Sequence, residues 1–477
     1  GEKMPPFSGA MIPPSNGYHH QKRDSNIVTI DVGGQLFQTT KQTLAVAGPE
    51  SLLSRISRSS SPTYEVAFVD RDPELFSVLL SLLRTGTVPS RSRAFDLQDL
   101  LAEGRFYGIE GLFLASQSNP SQFEAFNLRR SSVLPLSGGE TPSALSATPS
   151  GSVHVAHGSR ITSFDWSLQR KATVLTRFTA VDSLLALSPA VAAAGATDFS
   201  GLQILDLKTG FVRHALSWEN ATRSSSTVQA IASSPEFLFT SFESGRRNSS
   251  AIMIYDLGGA FRPVSEIGKN EIYGADLDSA IPATKLSWVS NYGLLMASGS
   301  HAGPSGVRGT VKLWDVRSGK AAWEHSETAD CFSDVTVSGD LSAMFKVGVQ
   351  SGEVFYADLR ALGGGEPWVC LGEGRRARQA AGRKEGAGAR MESHGGQVFC
   401  SRGGAVELWS EVLVNPRRSS EDGLEGRVFR RNFMGNGKEG EGCGGRVAHM
   451  KFGGNKMFVT RKEQQSVEVW QGSWKVA

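Results

Sequence analysis

Five aspartates recur at regular intervals and are the most ordered set of chemically reactive side chains in the sequence. Neighbours in the set lie 41 to 59 residues apart, and each ends a short strand-like run. Carboxylates at strand ends could ligate a cation or exchange protons. Asp also caps turns through its own side chain, and regular recurrence favours that structural role. The five residues are Asp165, Asp206, Asp256, Asp315 and Asp358.

Histidines and cysteines give no metal-ligand pattern. His154 and His157 lie three residues apart in a predicted strand, so their side chains should point to opposite faces. The four cysteines are 30 to 43 residues apart, far from the spacing of a zinc knuckle. Their sparsity is typical of free thiols in a reducing compartment. We find no nucleophile elbow or phosphate-binding loop, and we expect no catalytic residue, cofactor or metal.

The aspartates belong to a longer series of seven strand–turn units, and the last two units have Ser410 and Gln471 in the equivalent position. An alternating strand buries both faces only between neighbouring sheets, so the units should close into a ring. The sequence therefore predicts an all-β, seven-bladed propeller over residues 131–477. The unassigned segment 131–137 should supply the strand that completes the last blade.

Unit spacing exceeds that of a minimal blade, and the surplus falls in inserted segments. Those at 363–395 and 415–446 are rich in Gly and predicted to be flexible. The basic run at 375–384 could be a nuclear import signal or a solvated loop. Net charge is only +3 for 477 residues and forms no broad basic face, so direct nucleic-acid binding is not expected. No apolar run is long enough for a membrane span.

Residues 26–117 read as a separate small α/β domain. A β-hairpin turns at Gly33-Gly34, and a strongly apolar helix begins after Asp72 and ends at Gly86. This segment has 8 basic and 10 acidic side chains, so it is slightly acidic. Residues 1–25 are predicted to be a disordered tail and residues 118–130 a linker.

Three ordered motifs in this domain, VTIDVGGQLFQTT, DRDPELFSVLLSLLRTG and LLAEGRFYGIEGL, resemble the BTB/POZ fold, in the branch shared by potassium-channel tetramerisation domains and KCTD proteins. The later units, such as LWDVRSG, resemble WD-type blades, and the combination is similar to plant BTB/POZ proteins with a WD-like or YVTN-like propeller. The channel branch has a His/Cys zinc site that is not expected here, since no Cys precedes Cys331. The residues that match the family's motifs are Gly33, Gly34, Phe37, Thr39, Asp70, Arg71, Asp72, Phe76, Arg84, Gly86, Glu103, Phe106 and Tyr107.

The resemblance implies a substrate-recruiting adaptor of a cullin-3-type ubiquitin ligase. The BTB domain would self-associate, with Gly33, Gly34, Phe37, Asp70, Arg71, Asp72, Arg84, Phe106 and Tyr107 as its motif residues. It would dock the cullin through the helices at 72–85 and 96–116, while the propeller would bind an unknown substrate protein. Such a protein would be non-catalytic and cytoplasmic or nuclear. An oligomeric scaffold or transcription-regulatory protein without a ligase link is the alternative, and a propeller enzyme is the least favoured.

Overall fold

A computed structural model describes residues 26–59, 66–95, 97–117, 123–220, 224–271, 281–303, 306–363, 365–372, 385–412, 427–434 and 445–472. The predicted tail at 1–25 and the basic run at 375–384 lie outside these residues. Two compact units divide the chain, with the boundary after Phe113. No helix in the described ranges has both the length and the apolar character needed to cross a bilayer.

The first unit combines a three-stranded sheet with helices. Strand β1 is central, antiparallel to β2 and parallel to β3. Its buried residues Val28, Ile30 and Val32 turn one sheet face towards the core. The elements are β1 (Ile27–Val32), β2 (Gln35–Thr40), α1 (Lys41–Ala45), α2 (Leu52–Ser59), β3 (Ala67–Val69), α3 (Pro73–Thr85), α4 (Leu97–Tyr107) and α5 (Glu110–Gln117), the last of which spans the boundary.

Helix α3 has the ends that its sequence predicts. The Asp72 carboxylate accepts hydrogen bonds from the backbone N–H groups of Glu74 and Leu75, at 2.7 and 3.2 Å. Gly86 is left-handed (φ 73°), and its N–H donates to the Leu82 carbonyl. At the hairpin, Gly33 also has positive φ (57°), and a Cβ there would collide with the Arg71 carbonyl oxygen. Only glycine therefore lets the hairpin turn pack against the segment that begins α3.

The second unit contains seven four-stranded antiparallel sheets, which confirms the predicted propeller class. Blades 2 and 3 are also joined by one bridge, Ser200 to Thr227. Blade 1 is β5 (Pro142–Ala147), β6 (Val153–His157), β7 (Arg160–Phe164) and β8 (Arg170–Leu175). Blade 2 is β9 (Ser183–Ser188), β10 (Val191–Ala196), β11 (Phe199–Asp206) and β12 (Val212–Leu216). Blade 3 is β13 (Thr227–Ser233), β14 (Phe237–Glu243), β15 (Ser249–Asp256) and β16 (Pro263–Glu271).

Blades 4 to 7 have the same four-stranded plan. Blade 4 is β17 (Lys285–Val289), β18 (Leu294–Gly303), β19 (Gly306–Asp315) and β20 (Lys320–Glu327). Blade 5 is β21 (Phe332–Ser338), β22 (Ala343–Gly348), β23 (Val354–Asp358) and β24 (Val369–Cys370). Blade 6 is β25 (Arg390–His394), β26 (Gln397–Arg402), β27 (Ala405–Val412) and β28 (Val428–Phe433). Blade 7 is β29 (Val447–Gly453), β30 (Lys456–Arg461), β31 (Ser466–Gly472) and β4 (Leu128–Pro135).

Strand β4 closes the ring across the two ends of the second unit. It pairs antiparallel with β31 from Leu128 opposite Gly472 to Pro135 opposite Ser466. The innermost strands contact one another in turn, and β29 contacts β5. The prediction that the segment near 131–137 completes the last blade is therefore confirmed. The strand begins at Leu128, within the predicted linker.

Part of the predicted linker is anchored in the ring. Phe123 is buried, and its ring packs edge-on against those of His394 and Phe452, at centroid distances of 4.7 and 5.6 Å. His394 lies on β25 of blade 6, and Phe452 lies on β29 of blade 7. This aromatic contact ties the segment that precedes β4 to both blades.

Two segments predicted to be flexible insertions contain strands, which corrects that prediction. Strands β24 and β25 lie within 363–395, and β28 lies within 415–446. Outer strands need only pair their backbone with the third strand, so β28 forms opposite Glu407–Val412 despite its polar sequence. The neighbouring residues 373–384, 413–426 and 435–444 lie outside the described ranges.

The antiparallel order assigns the connections to two faces of the ring. Second-to-third and fourth-to-first connections lie on one face, which we call the loop face, and the remaining turns lie on the opposite turn face. The connections from β12 to β13 and from β14 to β15, for example, both fall on the loop face. The seven repeated units are the third strands of the seven blades, so their terminal aspartates lie on the turn face.

Two arginines, the buried Arg461 and the half-buried Arg402, join neighbouring blades. The Arg461 guanidinium lies 2.9 Å from the Glu468 carboxylate of its own blade and donates to the Gly404 carbonyl of blade 6 at 2.8 Å. Arg402 repeats the arrangement with Glu407 and the Gly352 carbonyl of blade 5. Each pair therefore neutralises a buried carboxylate and connects two blades.

Replacing Arg461 tests this connection. Arg461→Met leaves the Glu468 carboxylate buried without its main partner, and we expect a loss of about 3 kcal/mol in the free energy of unfolding. The double variant Arg461→Met/Glu468→Leu should recover most of the loss, because no charge remains buried. Urea unfolding followed by tryptophan fluorescence measures both, since every tryptophan of the chain follows residue 130. Equal stability of the single variant and the wild type would contradict the assignment.

Candidate interaction surfaces

Two of the three motifs of the first unit meet around one arginine. The Arg71 guanidinium lies 3.4 Å from the Glu103 carboxylate and 4.0 Å above the centre of the Phe106 ring. Arg71 precedes α3, whereas Glu103 and Phe106 lie on α4. One cation therefore holds the start of α3 against α4 by an ion pair and a cation–π contact.

A chain of aromatic contacts extends this cluster to the hairpin. Phe37 of β2 packs edge-on against Phe76 of α3, Phe76 contacts Tyr107, and Tyr107 packs edge-on against Phe106, each at a centroid distance of 5.0 Å. Phe76 and Tyr107 are completely buried. These two side chains thus hold the unit together and are not accessible to a second molecule.

Thr39 is buried, and the remaining motif residues lie on the surface or at its edge. Arg84 donates to the Gln38 carbonyl at 2.7 Å, linking the end of α3 to β2. Phe37 is half-buried. The exposed residues available for contacts with another molecule are Gly33, Gly34, Asp70, Arg71, Asp72, Arg84 and Phe106.

Glu103 has a perturbed acidity. Burial raises the pKa of its carboxyl above the usual value, although the nearby Arg71 charge opposes that shift. Its Oε2 atom has no hydrogen-bond partner within the described residues. Arg71 is therefore the main stabilising contact of an otherwise unfavourable buried carboxylate.

The outer face of the first unit's sheet carries an apolar row that the motif comparison does not reveal. Asp31 of β1 lies opposite Leu36 of β2 and Phe68 of β3, so the three side chains share one face. Leu36 and Phe68 are 62% and 63% exposed. The alternation of Asp31 with the buried Val32 could have predicted that Asp31 points outward. It could not have predicted that β3 pairs with β1 and places Phe68 beside Asp31.

On the turn face, all five recurring aspartates accept backbone hydrogen bonds within their own turns. Asp206 accepts from the N–H groups of Lys208 and Thr209, at 2.9 and 3.1 Å. Hydrogen bonding from the Arg213 side chain holds the Asp206 pKa far below its ordinary value. The donors to the other four are the N–H groups of Ser167 and Gln169 for Asp165, Gly258 for Asp256, Arg317 for Asp315 and Arg360 for Asp358.

The central channel of the ring has a charged side. Lys285 Nζ lies 2.9 Å from Asp334 Oδ1 and donates to the Met391 carbonyl at 2.8 Å. The Glu392 carboxylate forms ion pairs with both Lys285 and Lys451. Burial disfavours the Lys285 ammonium, but Asp334 and Glu392 nevertheless hold its pKa above the ordinary value. These residues come from the inner strands of blades 4 to 7 and form a continuous ion-pair series.

The opposite side of the channel is mixed, with Asp182, Ser183 and Gln229 beside apolar side chains. Leu145, Leu184 and Ile231, from the inner strands of blades 1 to 3, line the same cavity of about 390 Å³. Burial lowers the pKa of His449, also in the lining, to about 4. The cavity therefore presents apolar surface and paired charges together, and no unpaired carboxylate–base combination is evident among its described lining residues.

One group of potential metal ligands occurs elsewhere in the described part of the chain: His325, Glu327 and Glu366. The Lys346 ammonium, which is buried, pairs with Glu327. It therefore competes with any metal cation for this carboxylate. His154 and His157, by contrast, hydrogen-bond separately to Ser163 and Thr162.

Comparison with known proteins identifies both units. A BTB/POZ domain model matches residues 28–117, and a model described as an At2g24240-like C-terminal β-propeller matches residues 137–472. The chain belongs to this BTB/POZ–propeller family. BTB/POZ domain-containing protein At5g41330 of Arabidopsis thaliana is 60% identical over 94% of this chain and 96% of its own length.

Other relatives of the family cover different extents. BTB/POZ domain-containing protein At2g24240 of Arabidopsis thaliana is 25% identical over 93% of this chain and 97% of its own length. The BTB/POZ domain-containing adapter for CUL3-mediated RhoA degradation protein 1 of Danio rerio is 37% identical over 95 residues, which are 18% of this chain and 27% of that protein. The similarity to the adapter is thus confined to the length of one domain.

The Arg71–Glu103 pair predicts a pH-dependent effect. Because the folded Glu103 has a raised pKa, its ionisation destabilises the fold as pH rises through that value. Arg71→Leu should raise the pKa further, at a cost of about 1 kcal/mol at pH 8 that shrinks towards pH 5. Hydrogen exchange of the α4 amides, corrected for intrinsic rates, measures the local stability.

Glu103→Gln is the matched control, because it removes the titrating group. In an Arg71→Leu/Glu103→Gln background, the effect of pH between 5 and 8 should disappear. An Arg71→Leu deficit that is the same at both pH values would show that Arg71 acts through Phe106 packing alone.

Proposed function

We propose that this protein is a non-catalytic adaptor of a cullin-3-type ubiquitin ligase, in the cytoplasm or nucleus. The first unit would self-associate and bind the cullin, and the propeller would bind a substrate protein. The observation that carries the proposal is that the first unit exposes apolar side chains at two separate places. A CUL3 adapter is among the relatives of its BTB domain.

The first exposed place suits self-association. Leu36 and Phe68 flank Asp31 on the outer sheet face. Burying two large apolar side chains against a second copy would contribute several kcal/mol. The charged, exposed Asp70, Asp72 and Arg84 would then supply specificity around this contact.

The second exposed place suits the cullin. Ala102 and Phe106 are exposed and four residues apart, so they share one face of α4. Phe106 contacts Tyr107, which contacts Phe76, which contacts Phe37 of β2. Because Phe37 and the outward-pointing Leu36 lie on opposite sheet faces, Phe106 lies on the side of the sheet that packs against the helices. A partner bound here would leave the outer sheet face accessible to other copies.

The propeller would recognise its substrate on the loop face. Most of the long connections and the mixed apolar and charged channel belong to that side, whereas most turns of the opposite face are short. Catalysis would then be by proximity: the adaptor raises the effective concentration of substrate at the ligase and forms no covalent bond itself.

A charge on α4 tests the cullin contact. Ala102→Glu in the full chain should weaken binding of the purified cullin-3 N-terminal region at least tenfold, because a carboxylate would be buried without a partner. Glu50→Lys, also exposed but outside the proposed helices, should bind like the wild type. Biolayer interferometry measures both affinities.

Failure of the wild-type chain to bind at micromolar concentration would overturn the ligase assignment. If that chain were still oligomeric, the scaffold alternative without a ligase link would replace it.

Self-association is tested on the other face. Leu36→Asp/Phe68→Asp should convert the oligomer to a monomer, since two carboxylates would enter an apolar contact. Val264→Asp, at an equally exposed apolar position on an outer propeller strand, is the matched control and should remain oligomeric. Analytical ultracentrifugation measures the masses. A wild-type monomer, or an oligomer that persists in the double variant, would contradict the proposed surface.

A further inference from the structure

A second recognition surface lies on the rim of the ring, between blades 6 and 7. Strands β28 and β4 are the outermost strands of these blades, and a groove of about 400 Å³ lies between them. All of its lining residues belong to the second unit. It shares no lining residue with the central channel.

The groove has an apolar lining with exposed aromatic edges. Leu128, Leu408 and Trp470 contribute to its walls, together with Phe126 and Phe433. Phe126 and Phe433 are 61% and 56% exposed, which is unusual for phenylalanine. Contact of their apolar rings with water is unfavourable relative to burial. An occupant that covers both rings would recover this energy.

Exposed charge around the groove is mainly positive. Arg129 and Arg130 lie in its lining, and Arg430 shares a side of β28 with Asn432. The nearby Glu468 carboxylate is buried and paired with Arg461, although Arg130 also approaches it at 3.5 Å. The surface is therefore cationic next to an apolar floor.

Of the other nearby carboxylates, Glu407 is neutralised by arginines and Glu124 keeps its negative charge. Glu407 is buried and paired with both Arg402 and Arg431. Glu124 accepts a hydrogen bond from the Asn127 side chain at 3.3 Å. The exposed guanidinium groups are thus only partly compensated.

Polar groups suited to a peptide backbone are also present. The Asn432 Nδ2 atom is buried and has no hydrogen-bond partner among the described residues. Each outer strand pairs on one side only within its blade, so its other edge carries backbone donors and acceptors. An extended peptide uses such groups when it docks beside a strand.

From these observations we propose that the groove binds an extended peptide segment of a partner protein, with apolar side chains followed by Asp or Glu. The apolar side chains cover Phe126 and Phe433, the acidic residues face Arg129 and Arg130, and a peptide carbonyl accepts from Asn432. This inference does not depend on the cullin link, because the groove belongs wholly to the propeller.

The test is a peptide selection on the full-length protein. A library of random 16-residue peptides is displayed on phage and selected against the wild-type chain. The expected result is enrichment of peptides with apolar residues beside acidic ones. Synthetic copies of the enriched peptides are then titrated by fluorescence anisotropy.

Arg129→Glu/Arg130→Glu should weaken binding at least tenfold, and Asn432→Leu should weaken it about threefold to tenfold. The matched control Arg177→Glu/Arg262→Glu reverses two exposed charges on other blades and should leave the affinity unchanged. Tryptophan fluorescence of each variant checks that the ring is folded.

Three results would overturn the proposal. One is a wild-type chain that selects no peptide, or only basic peptides. Another is an affinity that the groove charge reversal leaves unchanged. The third is a wild-type chain that binds phosphatidylserine vesicles but no peptide. If the Arg129→Glu/Arg130→Glu variant also lost vesicle binding, the groove would be a lipid-binding surface.

Discussion

The pairing of β4 with β31 is the contact on which the second unit depends. A four-stranded blade buries both faces only when a neighbour packs on each side, so a row of blades is stable only as a closed ring. Blade 7 takes three strands from the end of the described chain and its fourth from residues 128–135, ahead of blade 1. Closure therefore joins sequence positions about 340 residues apart through backbone hydrogen bonds, and we expect it to be slow because of the loop-closure entropy.

Closure also explains how the chain separates its tasks. Once the ring is fixed, most connections on the turn face can be short, and the recurring aspartates cap five of them. The loop face and the rim are then free to vary without loss of the core. In the first unit, a single cation performs a comparable role, because Arg71 holds two motif segments together while leaving the outer sheet face uncovered. A BTB/POZ–propeller chain is thus a pair of stable frameworks that carry contact surfaces.

Local signals predicted much of this architecture. The caps at Asp72 and Gly86 define α3, and the repeated third strands reveal seven blades, because turn chemistry and alternation act over a few residues. Contacts set by tertiary packing were not predictable. From the sequence, Phe123 is predicted to be a linker residue, because its contacts come from blades 6 and 7. The polar residues of β28 hide the strand until its pairing with β27 is known. The Arg461–Glu468 pair and the rim groove likewise require neighbouring blades to be placed first.

Hydrogen exchange across β4 tests the closed ring most directly. In the full-length protein, the amides of Leu128–Pro135 should be protected as strongly as those of β16, the outer strand of blade 3, since both pair with a third strand along one edge. Protection of β4 and β31 should also be lost together as urea is raised. Rapid exchange of residues 128–135, while β31 and β16 remain protected, would show that the chain ends are not joined and would contradict the account.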